Sequence, residues 1–388
     1  MNRRLRDVKC PTIGTVIILS PGGLNHGGGI GRQMGYFLSA HLPDRRELDY
    51  RVIDSRGPWF LGNSPFHIGL AGCYLLGSLI KLVLARFGTS SFLVHVNITG
   101  RGSTVRKALL LTVARAFGIR YLLHVHDYNY AADYSRRGTL MRSAVASVFR
   151  HATKVLTLGA RDRDVLAELF ELPDDRIVVL HNAVPDPLPH PTEMRYSQGP
   201  IHILFLGHLS ARKGVPELLH ALASPALRAR QWRATLAGGD PGSEFRRSAS
   251  KLGILERVDF PGWLDTTSVS ALCADADVLV LPSHAEGLAM AVLEGLAHGL
   301  AVVTTPVGAH PEVIEPGVSG ILVPPGNVAE LTDALIRLIE DLDLRRRLGA
   351  GARDRFLKKF DVRGYAERLS ELHTNLLLEG RPETLPIL

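Results

Sequence analysis

Short apolar runs alternate with longer amphipathic stretches along most of the chain. The runs fall at Thr12–Leu19, Tyr50–Asp54, Phe92–Val96, Tyr121–Val125, Val155–Leu158 and Ile177–Leu180, then at Ile201–Leu206, Arg233–Ala237, Val258–Phe260, Val278–Leu281, Ala301–Thr304 and Ile321–Val323. Most are continuously apolar and bounded by Gly, Pro or Asp, the pattern of strands buried on both faces. Between them, helical periodicity opens near Ile30 and near Val105, where Ser103 or Thr104 can cap the helix, and fills Arg136–Lys154, Val215–Ala223 and about Leu288–His298. Strands alternating with helices predict parallel sheets joined by right-handed crossovers. The stretch Asp186–Gly199 is proline-rich and poor in apolar residues, so it reads as a linker. This places one domain over residues 1–190, a second over 200–355 and C-terminal helices over 356–388. Ile68 to Ile80 is uncharged for thirteen residues before Lys81 and Arg86. That is short of the ~20 apolar residues that a bilayer span needs. A buried helix is the expectation; a helix lying in the membrane interface is the other reading.

The most informative stretch is Asp277–Gly299. A buried strand, Val278–Leu281, is stopped by Pro282-Ser283; a turn, His284-Ala285-Glu286-Gly287, then leads into a helix closed by Gly299. A helix N-terminus just past the carboxyl end of a parallel strand is where open α/β sheets bind ligands. Its amide groups and dipole suit a phosphate. Glu286 and Glu294 are eight positions apart, about 2.2 helical turns, so both can face one side. Two carboxylates beside a phosphate site make chemical sense if they accept hydrogen bonds from sugar hydroxyls, as a carboxylate does from ribose in dinucleotide folds.

Two more loops have the same character. After Ile201–Leu206 comes Gly207-His208-Leu209-Ser210-Ala211-Arg212-Lys213-Gly214, in which adjacent cations sit ahead of a helix with Pro216 in its first turn. Arg supplies a fork of donors and Lys a point charge, both suited to phosphate. After the first strand comes a glycine-rich loop containing Gly27, Gly28 and Gly29. It spells an imperfect dinucleotide fingerprint, with Asp54 as the ribose acid, but Arg32 stands where the third glycine is needed.

Glu286-Gly-Leu-Ala-Met-Ala-Val-Leu-Glu294 resembles the Glu-x7-Glu motif of the family 4 retaining glycosyltransferases, which have the GT-B fold. The text around it resembles the members that build bacterial surface polysaccharides. The resemblance covers nearly the whole chain and is tightest over 201–330. It departs at Ala289, where Gly or Pro is usual, and at His208, where the family often has Arg. It implies an α/β protein of two doubly wound Rossmann-like domains facing across a cleft, with the C-terminal helices returning to the first. It implies transfer of a sugar from a nucleotide diphosphate sugar to a hydroxyl of a lipid-linked saccharide or polysaccharide. The matching positions give Glu286, Lys213, Arg212 and His126 as catalytic, His126 on the acceptor side at the end of Tyr121–Val125. Donor contacts fall to Gly28, Gly29, Gly207, Arg212, Lys213, Gly239, Glu286, Gly287, Leu288, Ala289, Met290 and Glu294. His181-Asn182-Ala-Val-Pro185 resembles the end of the family's first domain, and the Trp263 loop the segment beside the donor base.

Composition narrows the partners. Apolar content of 46% and charged content of 21% read as a globular protein. Residues 1–195 hold 25 Lys/Arg against 15 Asp/Glu, net +10, and residues 196–388 hold 20 against 23, net −3. So basic a first half suggests an anionic surface or partner, a membrane leaflet or a lipid pyrophosphate; with 6% aromatics and no recognition motif, nucleic acid is not expected. Cys10, Cys73 and Cys273 form no framework and read as small core residues in a reducing compartment. The apolar run after basic Met1–Lys9 ends at Ser20-Pro-Gly-Gly and reads as a strand, not a secretory signal. The expectation is a cytoplasmic enzyme, peripheral at the inner face of the cell membrane. Asp275-Ala-Asp277 has the spelling of a metal motif but borders a buried strand, so no metal and no cofactor are expected beyond the nucleotide sugar. A nucleotide-sugar epimerase of the same fold, an NAD-dependent oxidoreductase using the first glycine loop and a non-catalytic nucleotide-sugar sensor are the alternatives.

Overall fold

A computed structural model describes residues 13–24, 28–40, 48–55, 65–88, 91–187, 199–239 and 243–379. The chain divides into two compact units. One takes Met1–Thr157, Arg163–Leu180 and Arg363–Leu388; the other takes Leu158–Asp162 and His181–Val362.

The first unit holds β1 (Gly14–Ser20), β2 (Leu48–Asp54), β3 (Phe92–Ile98), β4 (Tyr121–Val125), β5 (Val155–Thr157) and β6 (Ile177–Val179). They form a parallel sheet in the order β2-β1-β3-β4-β5-β6. The connections run through α1 (Gly28–Ser39), α2 (Pro65–Gly88), α3 (Gly102–Ala116), α4 (Tyr130–Ser135), α5 (Thr139–His151) and α6 (Ala160–Phe170). Right-handed crossovers put α2, α3 and α5 on one face of this sheet. Alternation along the strands divides the core accordingly: Val94, Val96, Ile98, Tyr121, Leu123 and Val125 pack with Leu82, Leu111, Val145 and Phe149 in one cluster.

Two expectations fail on this face. The helix expected to be buried over Ile68–Ile80 is largely exposed along its described side chains. Among the described side chains of α2 only Ser78 and Leu82 are buried, while Leu76, Ile80 and Leu84 are 58%, 50% and 64% exposed. An all-apolar stretch carries no polar stripe to mark its outer side, so burial could not be read from it. Neither Ser103 nor Thr104 caps α3. The helix starts on Arg101, held at φ 56°, and the two hydroxyls bond instead to Thr99 O (2.8 Å, from Thr104) and to Lys107 Nζ (2.8 Å, to Ser103). Lys107 itself is buried, and burial, with Arg106 adding to it, pushes its ammonium down to about 7. Of the cysteines, Cys273 is buried as expected but Cys73 is exposed, and Cys10 lies outside the described residues.

The opposite face of the sheet is partly polar. His95, Asn97 and His124 are fully buried there. The last described helix, α15 (Val362–Glu379), belongs mostly to this unit and supplies His373. A chain of rings results: His373 Nε2 lies 3.0 Å from His95 Nδ1, and His95 Nε2 lies 3.3 Å from His124 Nδ1. The His124 ring in turn packs, tilted, against that of His126 with centroids 4.1 Å apart, and Tyr50 Oη contacts His373 Nδ1 at 3.1 Å. Arg120 donates to Leu376 O at 2.7 Å, a further tie to α15.

The second unit holds β7 (Ile201–Leu206), β8 (Trp232–Ala237), β9 (Val258–Gly262), β10 (Val278–Leu281), β11 (Ala301–Thr304) and β12 (Ile321–Leu322) in the order β12-β11-β10-β7-β8-β9, again parallel. Its helices are α7 (Val215–Leu222), α8 (Pro225–Arg228), α9 (Ser243–Lys251), α10 (Thr266–Asp275), α11 (Met290–Ala297), α12 (His310–Val313), α13 (Val328–Glu340) and α14 (Leu342–Lys359). From β7 the chain winds outward to β8 and β9, then returns to β10 on β7's other side. The crevice at such a reversal lies outside the carboxyl ends of β7 and β10.

The buried histidines make the first unit acid-sensitive. Burial pushes His95 and His126 down to about 3 and holds His124 well below the usual range. In the unfolded chain each titrates near ~6.5. Their contribution to stability is therefore complete above that value and is lost as pH falls towards the folded values. Each contributes about 1.4 kcal/mol per pH unit inside the window. Thermal unfolding of the first unit, followed by calorimetry, is expected to shift to lower temperature between pH 7 and pH 5, and the shift is expected to shrink in His95→Gln. A melting temperature that does not change over that range contradicts the arrangement.

Candidate functional site

The loops after β7 and β10 meet at the reversal of the second sheet. The loop after β7 ends in a single 3-10 turn, Ala211–Lys213, followed by Gly214 at φ 74°. A Cβ at Gly214 would sit 2.1 Å from Pro282 O, so only glycine lets this loop lie against the end of β10. His284 N then donates to Arg212 O at 2.8 Å, which locks the two loops together. The result brings three charges to one point. Lys213 Nζ lies 2.7 Å and Arg212 Nη1 3.0 Å from the same oxygen, Glu286 Oε1, and Arg212 Nη1 also donates to Ala285 O at 2.5 Å. Glu286 and Lys213 are largely enclosed, with side chains 9% and 12% exposed, while Arg212 is 38% exposed.

The turn that carries Glu286 is held from behind. Gly308, at φ 53°, lies where a Cβ would be 2.1 Å from Glu286 O and 2.2 Å from Gly287 O, and Ala309 N donates to Gly287 O at 2.8 Å. Ala289 N donates to His310 Nε2 at 3.4 Å, so the proton of His310 sits on Nδ1, 3.1 Å from Thr305 O. Burial pushes this imidazole down to about 4 and keeps it neutral; Glu286 acts in the other direction and Lys213 with the burial. Asn182 Nδ2 donates to Leu288 O at 3.2 Å.

Helix α11 starts at Met290 on Ala289, and no side chain caps it. Anions are favoured at such an uncapped helix start. Glu294 lies one turn into α11 and is buried. Gly207 lies against the end of Lys213, and Gly239 against His208, whose ring stacks at 6.3 Å on the exposed Trp263. The second unit thus gathers Arg212, Lys213, Glu286, Gly287, Leu288, Ala289, Met290, Gly207 and Gly239 around the ends of β7, β8 and β10, with Glu294 further along α11.

His126, Gly28 and Gly29 belong to the first unit. Gly28 and Gly29 form the exposed start of α1; Gly27 lies outside the described residues. His126 Nε2 lies 2.8 Å from Asn97 Oδ1, and Asn97 Nδ2 donates to Leu19 O at 3.3 Å. A carbonyl only accepts, so the amide orientation of Asn97 is fixed and its Oδ1 accepts from His126. The neutral imidazole therefore keeps Nδ1 as an acceptor. Asp54, the ribose acid of the dinucleotide alternative, already accepts from Gly22 N at 2.8 Å and closes the turn after β1. Asp275 pairs with Arg233 (2.6 Å) and His202 (3.0 Å), and Asp277 accepts from His202 N (2.8 Å), so this pair anchors the start of β10.

Sequence reading did not single out His310 and Gly308 as supports of the site. Their signal was the Gly308-Ala-His310-Pro spelling after β11, another loop at a strand's carboxyl end.

Residues 193–355 match the family model described as Glycosyl transferases group 1. The chain is 26% identical over 330 residues to the alpha-D-kanosaminyltransferase of Streptomyces kanamyceticus, covering 80% of this chain and 85% of that one. Among solved structures, the sucrose-phosphate synthase from Thermosynechococcus elongatus superposes with a TM-score of 0.73 at 20% identity, over 94% of this chain and all (100%) of that one. Anabaena HepE in complex with UDP and glucose superposes with a TM-score of 0.71 at 19% identity, over 93% and 100%.

The backing of the Glu286 turn is testable. Gly308→Ala forces a left-handed backbone and a clash with two carbonyls, and is expected to cost about 2–3 kcal/mol. Denaturant unfolding should register the loss, and turnover should fall with it because the turn that carries Glu286 moves. Wild-type stability and turnover would show that the turn does not depend on this contact.

Proposed function

The chain belongs to the group 1 glycosyltransferases of the GT-B fold, and on that premise we propose that it is a metal-independent retaining enzyme of family 4. It takes a sugar from a nucleotide diphosphate sugar and places it on a hydroxyl of a lipid-linked saccharide or polysaccharide, at the inner face of the cell membrane, in bacterial surface-polysaccharide assembly. The observation that carries the reading is the meeting of Arg212 and Lys213 on one oxygen of Glu286 beside the uncapped start of α11.

This arrangement suits a leaving nucleoside diphosphate. Negative charge grows on the phosphate as the sugar departs, and fixed cations and helix amides stabilise charge most where it develops. Arg212 and Lys213 take the diphosphate together with the amides from Leu288 to Met290. Glu286, released from its two cations, accepts from hydroxyls of the donor sugar. Glu294 accepts from the ribose diol. Gly207, Gly239 and Gly287 allow backbone to approach the donor closely, and the His208–Trp263 pair lies beside the base. In the first unit, the Nδ1 acceptor of His126 holds an acceptor hydroxyl in place by accepting its hydrogen bond. Two cations and a helix start take the place of a divalent ion.

A thermal-shift panel of UDP-, GDP- and ADP-sugars tests the donor site. A ligand at about 100 times its dissociation constant should stabilise the protein by ~2.7 kcal/mol. The matching donor should also be consumed only with acceptor, since consumption without it favours an epimerase. Lys213→Ala is expected to fold and to lower turnover about a hundredfold, the effect of removing one preorganised contact to developing charge. Near-normal turnover in the folded variant would take Lys213 out of the reaction. Turnover is expected to persist in excess EDTA; loss on chelation with recovery in magnesium or manganese would replace the cation-only mechanism.

A further inference from the structure

The outer face of α2, α3 and α5 is unusual in both charge and polarity. These three helices are neighbours on one side of the first sheet, α3 packing against α2 and against α5. Their sequences contain seven Lys or Arg and no Asp or Glu. On α2, Leu76, Ile80 and Leu84 are exposed at i, i+4 and i+8; on α3, Leu109, Val113 and Phe117 repeat that spacing at 54%, 38% and 43% exposure. The spacing puts each set along one side of its helix. Leu140, at the start of α5, is 90% exposed. Single exposed apolar residues need no explanation, but two parallel apolar stripes on adjacent helices form a patch.

Cations frame the patch. Lys81 and Arg142 are exposed and Arg106 is half-buried. At the far end of α3 a groove of about 710 Å³ is lined by Thr112, Arg115, Arg120, Ser147, His151 and Thr153, with no carboxylate among the lining residues. Not every basic residue of the first half takes part. Lys107 is buried against Ser103, Arg137 pairs with Asp133, Arg150 pairs with Glu171, and Arg3, Arg4 and Arg6 lie outside the described residues.

We propose that the outer face of α2, α3 and α5 docks on an anionic lipid leaflet, with the two apolar stripes entering the headgroup–acyl boundary and the flanking cations on lipid phosphates. Charge complementarity selects this occupant. A second copy of the same face would bring like charges together with no carboxylate to offset them, whereas an anionic leaflet attracts each Lys or Arg near it. Among the described residues no helix is long and apolar enough to cross a membrane, so the face lies on the bilayer surface. This inference deepens the membrane-side reading above and rests on it.

The test is co-sedimentation of the full chain with vesicles of phosphatidylcholine alone and of phosphatidylcholine with phosphatidylglycerol. Wild type is expected on the anionic vesicles only, with binding that weakens as salt rises. Ile80→Asp/Val113→Asp is expected to lower that binding by more than about tenfold, and Arg142→Glu by about fivefold. An unchanged thermal shift with the nucleotide-sugar donor shows that both variants are folded. If wild type binds and the double variant binds equally well, another face docks and the proposal falls while the membrane reading survives. If wild type binds neither vesicle but turns over donor with a water-soluble acceptor, the membrane reading falls and takes the proposal with it. A wild-type dimer in light scattering that the double variant abolishes makes this face a self-association surface instead.

Discussion

Glu286 sets the geometry of the loops after β7 and β10. A carboxylate this enclosed must have its charge matched, because an unpaired charge out of water is costly. It is matched twice, by Lys213 and by Arg212, and those partners come from a different strand end. The requirement therefore fixes the loop after β7 against the loop after β10. Gly214 permits the approach, the His284–Arg212 backbone bond closes it, and Gly308 with His310 buttresses the Glu286 turn from the β11 side. What results is a pair of cations assembled around a carboxylate. In the proposed reaction a diphosphate competes with Glu286 for the two cations, and the freed carboxylate accepts from hydroxyls.

The first unit uses a different device. The face of its sheet opposite α2, α3 and α5 buries His95, Asn97 and His124, and the last described helix adds His373 to them. Burial keeps His95 and His124 neutral, and a neutral imidazole has one donor and one acceptor. In such a chain each ring's tautomer constrains its neighbours. Asn97, itself oriented by a backbone carbonyl, fixes the outermost ring, so that His126 presents an acceptor. The network also ties α15 to the sheet it returns to.

The two strongest local signals were legible because they depend on neighbours in sequence. Alternating apolar runs and helical periods specify parallel α/β layers, and the strands Val278–Leu281, Ala301–Thr304 and Ile201–Leu206 fall where the pattern puts them. The loops carrying Arg212-Lys213 and Glu286 were visible as glycine-bounded segments at strand ends. Burial of an all-apolar helix was not legible: α2 has no polar stripe, so nothing in its sequence distinguishes the side on the sheet from the side in solvent. Neither Ser103 nor Thr104 caps α3 because the helix already starts at Gly102 on Arg101, which leaves both hydroxyls inside its first turn.

Sequence alone thus determined the fold class, the strand–loop–helix units and the residue types available at each strand end, all of which follow from periods of two and about 3.6 residues and from turn chemistry. Tertiary structure alone decided which strand ends are neighbours, because the order β10-β7 is set by the winding of the sheet and not by distance along the chain. From that adjacency come the meeting of residues 212 and 213 with residue 286, the backing by residues 308 and 310, and the histidine chain that joins residue 95 to residue 373. Contacts of that range depend on packing the whole core, so no local pattern encodes them.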